Sequence, residues 1–212
     1  MVTIIFLYFN YINIFVIIQV GGDRMSETNI KEALDFATER HKGQYRKGKN
    51  HDEYITHPVA VADYVRQYFG NDEHSRLLVI VALLHDTIED KKATSEEVSN
   101  LFGKRVTSLV EELTSDKKKQ MKMGKPQYLT QKMNQMSDDA FNVKLCDRLH
   151  NILSCYEADE SFKIRYIAET IFIFNHLQRK FSDIQLKIIS DIELSMCNIL
   201  TNNRPKIKSY LW

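Results

Sequence analysis

The sequence predicts an all-α fold, a helical bundle with a metal site between its helices. The 212 residues include only 7 glycines and 3 prolines, so signals that break helices are sparse. Few stretches alternate polar and apolar residues as half-buried strands do, whereas apolar residues recur at helical spacing along most of the chain. This length is sufficient for one domain with a substantial core.

The first half of the chain contains three predicted helices. A stripe of apolar residues predicts a helix over 29–40, and a polar loop is expected over 43–53. Pro58 is expected in the first turn of the second helix, where its missing N–H costs nothing, and Gly70 ends that helix. The third helix is predicted over 72–89.

The second half begins with a capping box at 94–97, which starts a short helix that Gly103 separates from a helix over 105–113. The charged stretch 115–126 is expected to be a loop. Four further helices are predicted, two over 127–136 and 138–154 and two within 161–200. The last two are expected to pack through Ile164, Ile167, Ile171, Phe174, Ile184, Leu186, Ile189 and Ile192.

The most informative stretch is the run Leu-Leu-His-Asp-Thr-Ile-Glu-Asp over 83–90. The apolar run before it predicts a helix that is buried nearly all round. Residues four apart share a helix face, so His85 is expected beside Glu89, and Asp86 beside Asp90. Because unpaired polar groups are costly to bury, these side chains must be paired, hydrogen-bonded or bound to a metal.

Two further residues complete a candidate metal site. His57 precedes an amphipathic stretch, and Asp147 lies within a helical pattern. With His85 and Asp86 they form a set of two imidazoles and two carboxylates, which suits Mn, Fe, Co or Zn better than Ca or Mg. These residues come from three separate helices that must converge, as is usual for sites in bundle cores. The order His, His-Asp, Asp is the HD signature of metal-dependent phosphohydrolases.

Four segments carry a more specific resemblance: 41–48, 54–58, 85–90 and 144–151. In this order they resemble the hydrolase domain of the RelA/SpoT family. Weaker similarity continues at 102–106 and 167–170, and together the resemblance spans about 28–195. Nothing resembles the synthetase, TGS or ACT parts of the long bifunctional enzymes. The chain therefore looks like a stand-alone small alarmone hydrolase.

This resemblance implies an HD-domain fold and a defined reaction. Pyrophosphate would be released from the 3′ position of guanosine 5′-diphosphate 3′-diphosphate, which leaves GDP, or GTP from the pentaphosphate. Mn²⁺ is the metal of that family, and the activity would lower the stringent-response alarmone. The partner is then a small nucleotide.

The resemblance also implies catalytic roles for Glu89 and Asp90, which would position or deprotonate the attacking water and handle the proton of the leaving group. The alternative is an ordinary acidic helix end. We disfavour that alternative because carboxylates near a helix C-terminus oppose its macrodipole.

Four residues match family positions that contact the nucleotide. Arg46 and Lys47 are the first two, and a guanidinium can stack on a purine while it meets phosphate. Asn151 and Ser154 are the others. A solvated basic loop is the alternative for Arg46 and Lys47. His41, Arg148 and His150 are expected to pack near the ligands or orient carboxylates, and tyrosine and phenylalanine residues are assigned to the core.

Three features depart from the family pattern. The loop over 48–53 is about two residues longer than usual and carries Glu53 where the family often has proline, which leaves nucleotide preference open. Lys91 and Lys92 add positive charge after the motif. A further cluster is expected to be a mobile solvated loop rather than a cover of the site; it comprises Lys117, Lys118, Lys119, Lys122 and Lys125.

Two other hypotheses stay open. The same metal site could act on an adenine alarmone, NADPH or a nucleoside 5′-phosphate. Alternatively, the chain is a catalytically idle, membrane-tethered module that senses nucleotides, which is disfavoured because the ligand set is intact.

Composition adds little to function. The formal charge of +1 gives no overall attraction to nucleic acid. Cys146, Cys155 and Cys197 lack metal-binding spacing and are expected to be reduced core thiols of a cytoplasmic protein.

The domain is expected over 25–200, between an apolar extension over 1–24 and a tail over 201–212. Residues 1–20 are nearly long enough for a membrane span but lack a basic leader and a cleavage site. Three interpretations stay open: a membrane anchor, an element that packs on the domain, and a start codon assigned upstream of Met25. We favour the third.

Overall fold

The computed structural model describes residues 27–46 and 51–202, and within them the chain is helical without a strand. The helices are α1 (Glu27–Arg40), α2 (Thr56–Phe69), α3 (Glu73–Leu84), α4 (Ser95–Leu113), α5 (Lys117–Met123), α6 (Lys125–Gln135), α7 (Asp138–Ser154), α8 (Glu160–Asn175) and α9 (Asp183–Asn202), with a short 3₁₀ helix at Cys155–Glu157. The predicted all-α fold is therefore confirmed.

Helix α3 lies at the centre of the bundle. It packs against α1, α2, α4 and α7, and its last seven residues are all buried. The side chain of Asp72 caps its first turn by accepting a hydrogen bond of 2.7 Å from the Ser75 amide. A helix that is apolar on every face becomes the core element, as the sequence predicted.

Several boundaries follow local signals. The capping box of α4 is complete, because the Thr94 hydroxyl and the Glu97 carboxylate each accept from the other residue's backbone amide. Gly103 breaks the helical path inside α4 with φ 83°, a conformation that costs other residues more. Helix α7 spans Asp138–Ser154, as predicted.

The end of α3 corrects the prediction of a helix over 72–89. The helix stops at Leu84. The Leu84 carbonyl accepts hydrogen bonds from both the amide (3.0 Å) and the hydroxyl (2.7 Å) of Thr87. The Thr87 carbonyl in turn accepts from the amides of Lys92 and Ala93. These local bonds satisfy backbone groups that a longer helix would use. Residues 85–90 therefore form turns rather than the predicted end of this helix, although the Asp90 amide still donates to the Asp86 carbonyl at 2.9 Å.

The charged stretch 115–126 is helical rather than a loop over much of its length. The Asp116 carboxylate accepts 3.0 Å hydrogen bonds from the amides of Lys118 and Lys119 and so caps α5. No residue of α5 is buried. Capping and the neighbouring helix α6, rather than an apolar stripe, hold this helix in place.

The buried faces of α8 and α9 differ from the predicted stripes. Ile167 and Ile192 are buried as expected, but Ile164, Ile171, Ile184 and Leu186 are exposed. The buried faces instead include polar residues with partners: Thr170 accepts from Arg148 at 2.8 Å, and Gln185 donates to Asn142 at 2.8 Å. The apolar residues alone did not reveal which faces of α8 and α9 are buried, because polar residues with hydrogen-bond partners also lie on those faces.

The cysteine prediction is corrected at one position. All three cysteines are free thiols, and Cys146 and Cys155 are buried as expected, whereas Cys197 is exposed on α9. The hypotheses for the extension over 1–24 fall outside the described residues, as does most of the tail. Among residues 27–46 and 51–202, no helix combines the length and apolar character needed to cross a bilayer.

Candidate active site

Three predicted metal ligands converge in the bundle core. His57 lies on α2, His85 directly follows α3, and Asp147 lies on α7. All three are buried, and one potential ligand atom from each lies within 4.8 Å of the others. The fourth predicted ligand, Asp86, is next to this group, with its Oδ2 3.2 Å from His85 Nε2 and 3.6 Å from His57 Nε2.

The His85 ring has a defined orientation. Its Nδ1 lies 2.7 Å from the carbonyl oxygen of Ala82. Because a carbonyl can only accept, Nδ1 carries a proton, and in the neutral ring the lone pair is on Nε2. That atom is buried and makes no well-aligned hydrogen bond to a described residue. A buried lone pair that faces carboxylates is what a bound cation would satisfy.

The His57 ring is oriented by a second histidine. The Nδ1 atoms of His57 and His150 are 2.7 Å apart, so one proton is shared between the two rings. The other ring nitrogen, His57 Nε2, faces Asp147 Oδ1 at 3.2 Å. Burial lowers the pKa of His57. Burial also lowers the pKa of His150, to about 3, and His57 and Arg46 contribute because a proton on His150 would be repelled by a proton on His57 and by Arg46. Both rings are therefore neutral at physiological pH, as metal ligation requires.

The charges at the site also favour a cation. Burial opposes ionisation of His85, but Asp86 and Asp147 outweigh it and raise its pKa to about 9. Burial likewise opposes ionisation of Asp147, yet Lys144 and His57 hold its pKa well below the usual range. Without a metal, His85 therefore carries a second proton on Nε2 between the two carboxylates, and a bound metal ion would displace that proton. Two imidazoles and two anionic carboxylates fit a divalent transition metal.

Asp147 is held by two neighbours on its own helix. Lys144 Nζ lies 2.8 Å from Oδ2, and Asn151 Nδ2 donates to Oδ1 at 2.6 Å. The oxygen of Asn151 accepts a hydrogen bond of 3.1 Å from the Arg46 guanidinium, which also reaches the Ser154 hydroxyl at 3.3 Å. Three residues predicted to contact nucleotide are thus brought together beside a metal ligand.

The two predicted catalytic carboxylates have different surroundings. Glu89 pairs with the Lys117 ammonium and accepts a 2.9 Å hydrogen bond from the Ser115 amide. Burial raises the pKa of Glu89, but the contact with Lys117, the charge of Lys144 and the hydrogen bond from the Ser115 amide together outweigh burial, and the pKa is lowered. Asp90 accepts a 2.9 Å hydrogen bond from Gln44. Both groups are available as acceptors for a water or a hydroxyl.

A cavity of about 260 Å³ opens onto three of the four predicted metal ligands, His57, Asp86 and Asp147. Its walls are polar and carry the carboxylates of Asp86, Glu89 and Asp147. The cationic side chains that line it are Arg46, Lys117, Lys125, Lys144 and Arg148. A site with a candidate cation and this many ammonium and guanidinium groups suits a ligand that carries phosphates.

The lining corrects the expectation of a solvated loop for two of the clustered lysines. Lys117 and Lys125 line the cavity, which is not consistent with a solvated loop away from the site. By contrast, Lys118, Lys119 and Lys122 are exposed outside it. The cavity lining does not include Lys91, Lys92, Asp90 or Ser154. Lys47 and residues 48–50 fall outside the described residues.

The lining residues that sequence reasoning missed include Tyr54, Lys144 and Tyr166, the two tyrosines because tyrosines were assigned to the core. Two of them had a usable signal. Lys144 precedes Asp147 by three residues on a predicted helix and therefore shares its face. Tyr54 precedes His57 by three residues, and the His57 amide indeed bonds the Tyr54 carbonyl at 2.9 Å.

Comparisons with known proteins agree with the fold and with the HD motif. The family model described as HD domain matches residues 33–181. The guanosine-3′,5′-bis(diphosphate) 3′-pyrophosphohydrolase MESH1 of Xenopus tropicalis is 40% identical over 123 residues, which cover 58% of this chain and 67% of the frog protein. The GTP pyrophosphokinase rsh of Brucella melitensis is 34% identical over 156 residues, or 71% of this chain but only 20% of that protein.

A solved structure, described as a metazoan ortholog of SpoT that hydrolyses ppGpp, superposes with a TM-score of 0.66 at 25% identity, covering 82% of this chain and 95% of that one. Fold, motif order and family match agree, and the resemblance inferred from the sequence is confirmed: the chain belongs to the HD domain family.

Proposed function

We propose that this protein is a metal-dependent phosphohydrolase that converts (p)ppGpp to GDP or GTP and pyrophosphate. The observation that carries the proposal is the convergence of His57, His85 and Asp147 beside a cavity that His57 and Asp147 line together with cationic side chains. The relatives named for 3′-pyrophosphohydrolase activity and for ppGpp hydrolysis support the choice of substrate.

In this proposal His57, His85, Asp86 and Asp147 hold one divalent ion, with Mn²⁺ as the expected metal. Such an ion stabilises charge on phosphate and makes a bound water more acidic. Lys144 neutralises Asp147 and so keeps this anionic centre compatible with an incoming polyanion.

The proposed hydrolysis needs one water and two proton movements. The water oxygen bonds to the phosphorus attached to the 3′ oxygen, the bond from that phosphorus to the 3′ oxygen breaks, and a proton ends on the 3′ oxygen. Glu89 and Asp90 are the proposed groups that orient the water, accept its proton and return one to the leaving group. The open acceptor capacity of both carboxylates supports these roles.

Nucleotide contacts are proposed for Arg46, Lys47, Asn151 and Ser154. The short distances from Arg46 to Asn151 and Ser154 support a shared binding surface. Lys117 and Lys125 also line the cavity and add positive charge to it. We further propose that the catalytic unit extends over 25–200 and acts in the cytoplasm.

The experiment is a turnover assay on the full chain with and without Mn²⁺, in which ppGpp, pppGpp, ppApp, NADPH and GMP are compared side by side. Selective, metal-dependent conversion of ppGpp to GDP and pyrophosphate is the expected result. Cleavage of a different compound would keep the metal site and replace the substrate. Metal binding without cleavage of any of the five would favour a nucleotide-sensing module instead.

A further inference from the structure

Tyr54 lies at the point where the polar loop enters α2. Its amide donates to the Gln44 carbonyl at 2.8 Å, and its own carbonyl accepts from His57 at 2.9 Å. The centroid of the phenol ring lies 4.8 Å from that of the His41 ring and 6.0 Å from that of the His57 ring, which it meets edge-on. Backbone bonds and ring contacts thus hold the phenol in one orientation.

The hydroxyl of Tyr54 donates a short hydrogen bond of 2.6 Å to Asp86 Oδ2. This is the same oxygen that faces His85 Nε2 at 3.2 Å and His57 Nε2 at 3.6 Å. A carboxylate oxygen has two lone-pair directions. When the hydroxyl takes one direction, the other stays available towards the two imidazoles.

Asp86 has more need of such a restraint than the other carboxylate ligand. Its side chain is 17% exposed, against 8% for Asp147. Asp147 lies within a regular helix and is held by Lys144 and Asn151, whereas Asp86 lies in a turn after α3. A ligand on a turn at a cavity wall can rotate unless a neighbour fixes it.

We propose that Tyr54 is a positioning residue that orients the Asp86 carboxylate for metal binding. The role rests on the proposed metal site and adds a residue from the loop before α2 to the contacts that shape it. Groups that hold a ligand in place typically change metal affinity about 10–100-fold when they are removed. Burial and the carboxylates of Asp86 and Asp90 raise the pKa of Tyr54, so its hydroxyl remains a donor.

The chain offers a matched control. Tyr68, on α2, donates an equally short 2.6 Å hydrogen bond to the Asp191 carboxylate on α9, away from the cavity lining. Tyr54→Phe and Tyr68→Phe therefore each remove one hydroxyl and one hydroxyl–carboxylate bond. If loss of a hydroxyl–carboxylate bond lowers the stability of the protein, both variants show that effect, and only an effect on the metal site is specific to Tyr54→Phe.

The test measures the Mn²⁺ dissociation constant of the full chain by calorimetry, without nucleotide, for the wild type, Tyr54→Phe, Tyr68→Phe and Asp86→Ala. Tyr54→Phe is expected to raise the constant about 10–100-fold, while Tyr68→Phe leaves it unchanged. In the turnover assay, saturating Mn²⁺ should restore the kcat of Tyr54→Phe, and the half-maximal Mn²⁺ concentration should rise by the same factor as the dissociation constant.

The outcomes separate this inference from the function on which it rests. Unchanged Mn²⁺ affinity in Asp86→Ala would overturn the metal site itself. Weak binding by Asp86→Ala together with wild-type binding by Tyr54→Phe would overturn only the role of Tyr54. A lower kcat for Tyr54→Phe at saturating Mn²⁺, with unchanged affinity, would assign Tyr54 to the substrate and also reject the positioning role.

Discussion

Lys144 Nζ lies 2.8 Å from Asp147 Oδ2 in the wall of the cavity, and both side chains are largely buried. Burial disfavours the ammonium, yet Asp147 outweighs it and raises the pKa of Lys144, so the group stays charged. The same contact helps to hold the pKa of Asp147 low. Removal of either partner leaves a buried charge without compensation.

Asp147→Asn is therefore expected to affect both metal content and stability. Loss of the anionic ligand should leave the purified protein without Mn²⁺, and the unpaired Lys144 should destabilise it by about 3–5 kcal/mol. Metal analysis and urea unfolding measure the two effects. Asp63→Asn, at an exposed position on α2, is the control. A metal-loaded variant of normal stability would contradict the assignment.

Glu89→Gln should separate chemistry from metal binding. The amide keeps the size of the side chain and leaves the four proposed ligands untouched, but it cannot accept a proton. We expect unchanged Mn²⁺ affinity and a kcat that falls by about 10²–10⁴-fold, the usual range for general acid–base catalysis. Glu96→Gln, at an exposed position of α4, is the matched control. A wild-type rate would remove Glu89 from the mechanism.

Lys117→Met should shift the acid limb of the pH dependence of kcat/KM to higher pH. Burial raises the pKa of Glu89 and the Lys117 hydrogen bond lowers it; with Lys117 removed, burial remains and the pKa rises. The carboxylate is then protonated at a higher pH, so kcat/KM should begin to fall at a higher pH than in the wild type. The exposed neighbour Lys118, changed to Met, should leave the profile in place. A shift to lower pH would contradict the role of Lys117.

Metal removal should lower thermal stability. A ligand that binds only the folded state at a hundred times its dissociation constant stabilises it by about 2.7 kcal/mol. For a chain of this size that corresponds to a rise of roughly 5–10 °C in Tm. We expect this difference between samples with Mn²⁺ and with EDTA, measured by calorimetry. Asp86→Ala should show none of it, and an equal rise in that variant would place the metal elsewhere.

Arg46→Ala and Asn151→Ala should differ in their effect on Mn²⁺ affinity. Asn151 donates to Asp147 at 2.6 Å, whereas Arg46, which also lines the cavity, donates to Asn151 and Ser154. We expect Arg46→Ala to raise KM with little change in Mn²⁺ affinity, and Asn151→Ala to weaken both. Parallel titrations with substrate and with Mn²⁺ measure this. Equal losses of metal affinity in the two variants would refute the distinction.

Local sequence signals predicted much of the fold. The apolar run before His85 identified the central helix, the capping box at Thr94 and Glu97 started α4, and Gly103 marked its break. These features succeed because capping and glycine conformation depend on residues close in sequence. The lysine-rich helix α5 was missed because it has no apolar face from which to predict it.

The sequence by itself determined the residue types of a metal site, their order and the helical class of the fold, since each follows from local chemistry and periodicity. Only the tertiary structure decided which donors meet. It brought Arg46 to Asn151 across 105 positions of chain and Gln44 to Asp90 across 46. It also set Tyr54 against Asp86. Such contacts depend on how helices pack in three dimensions, which no spacing along the chain specifies.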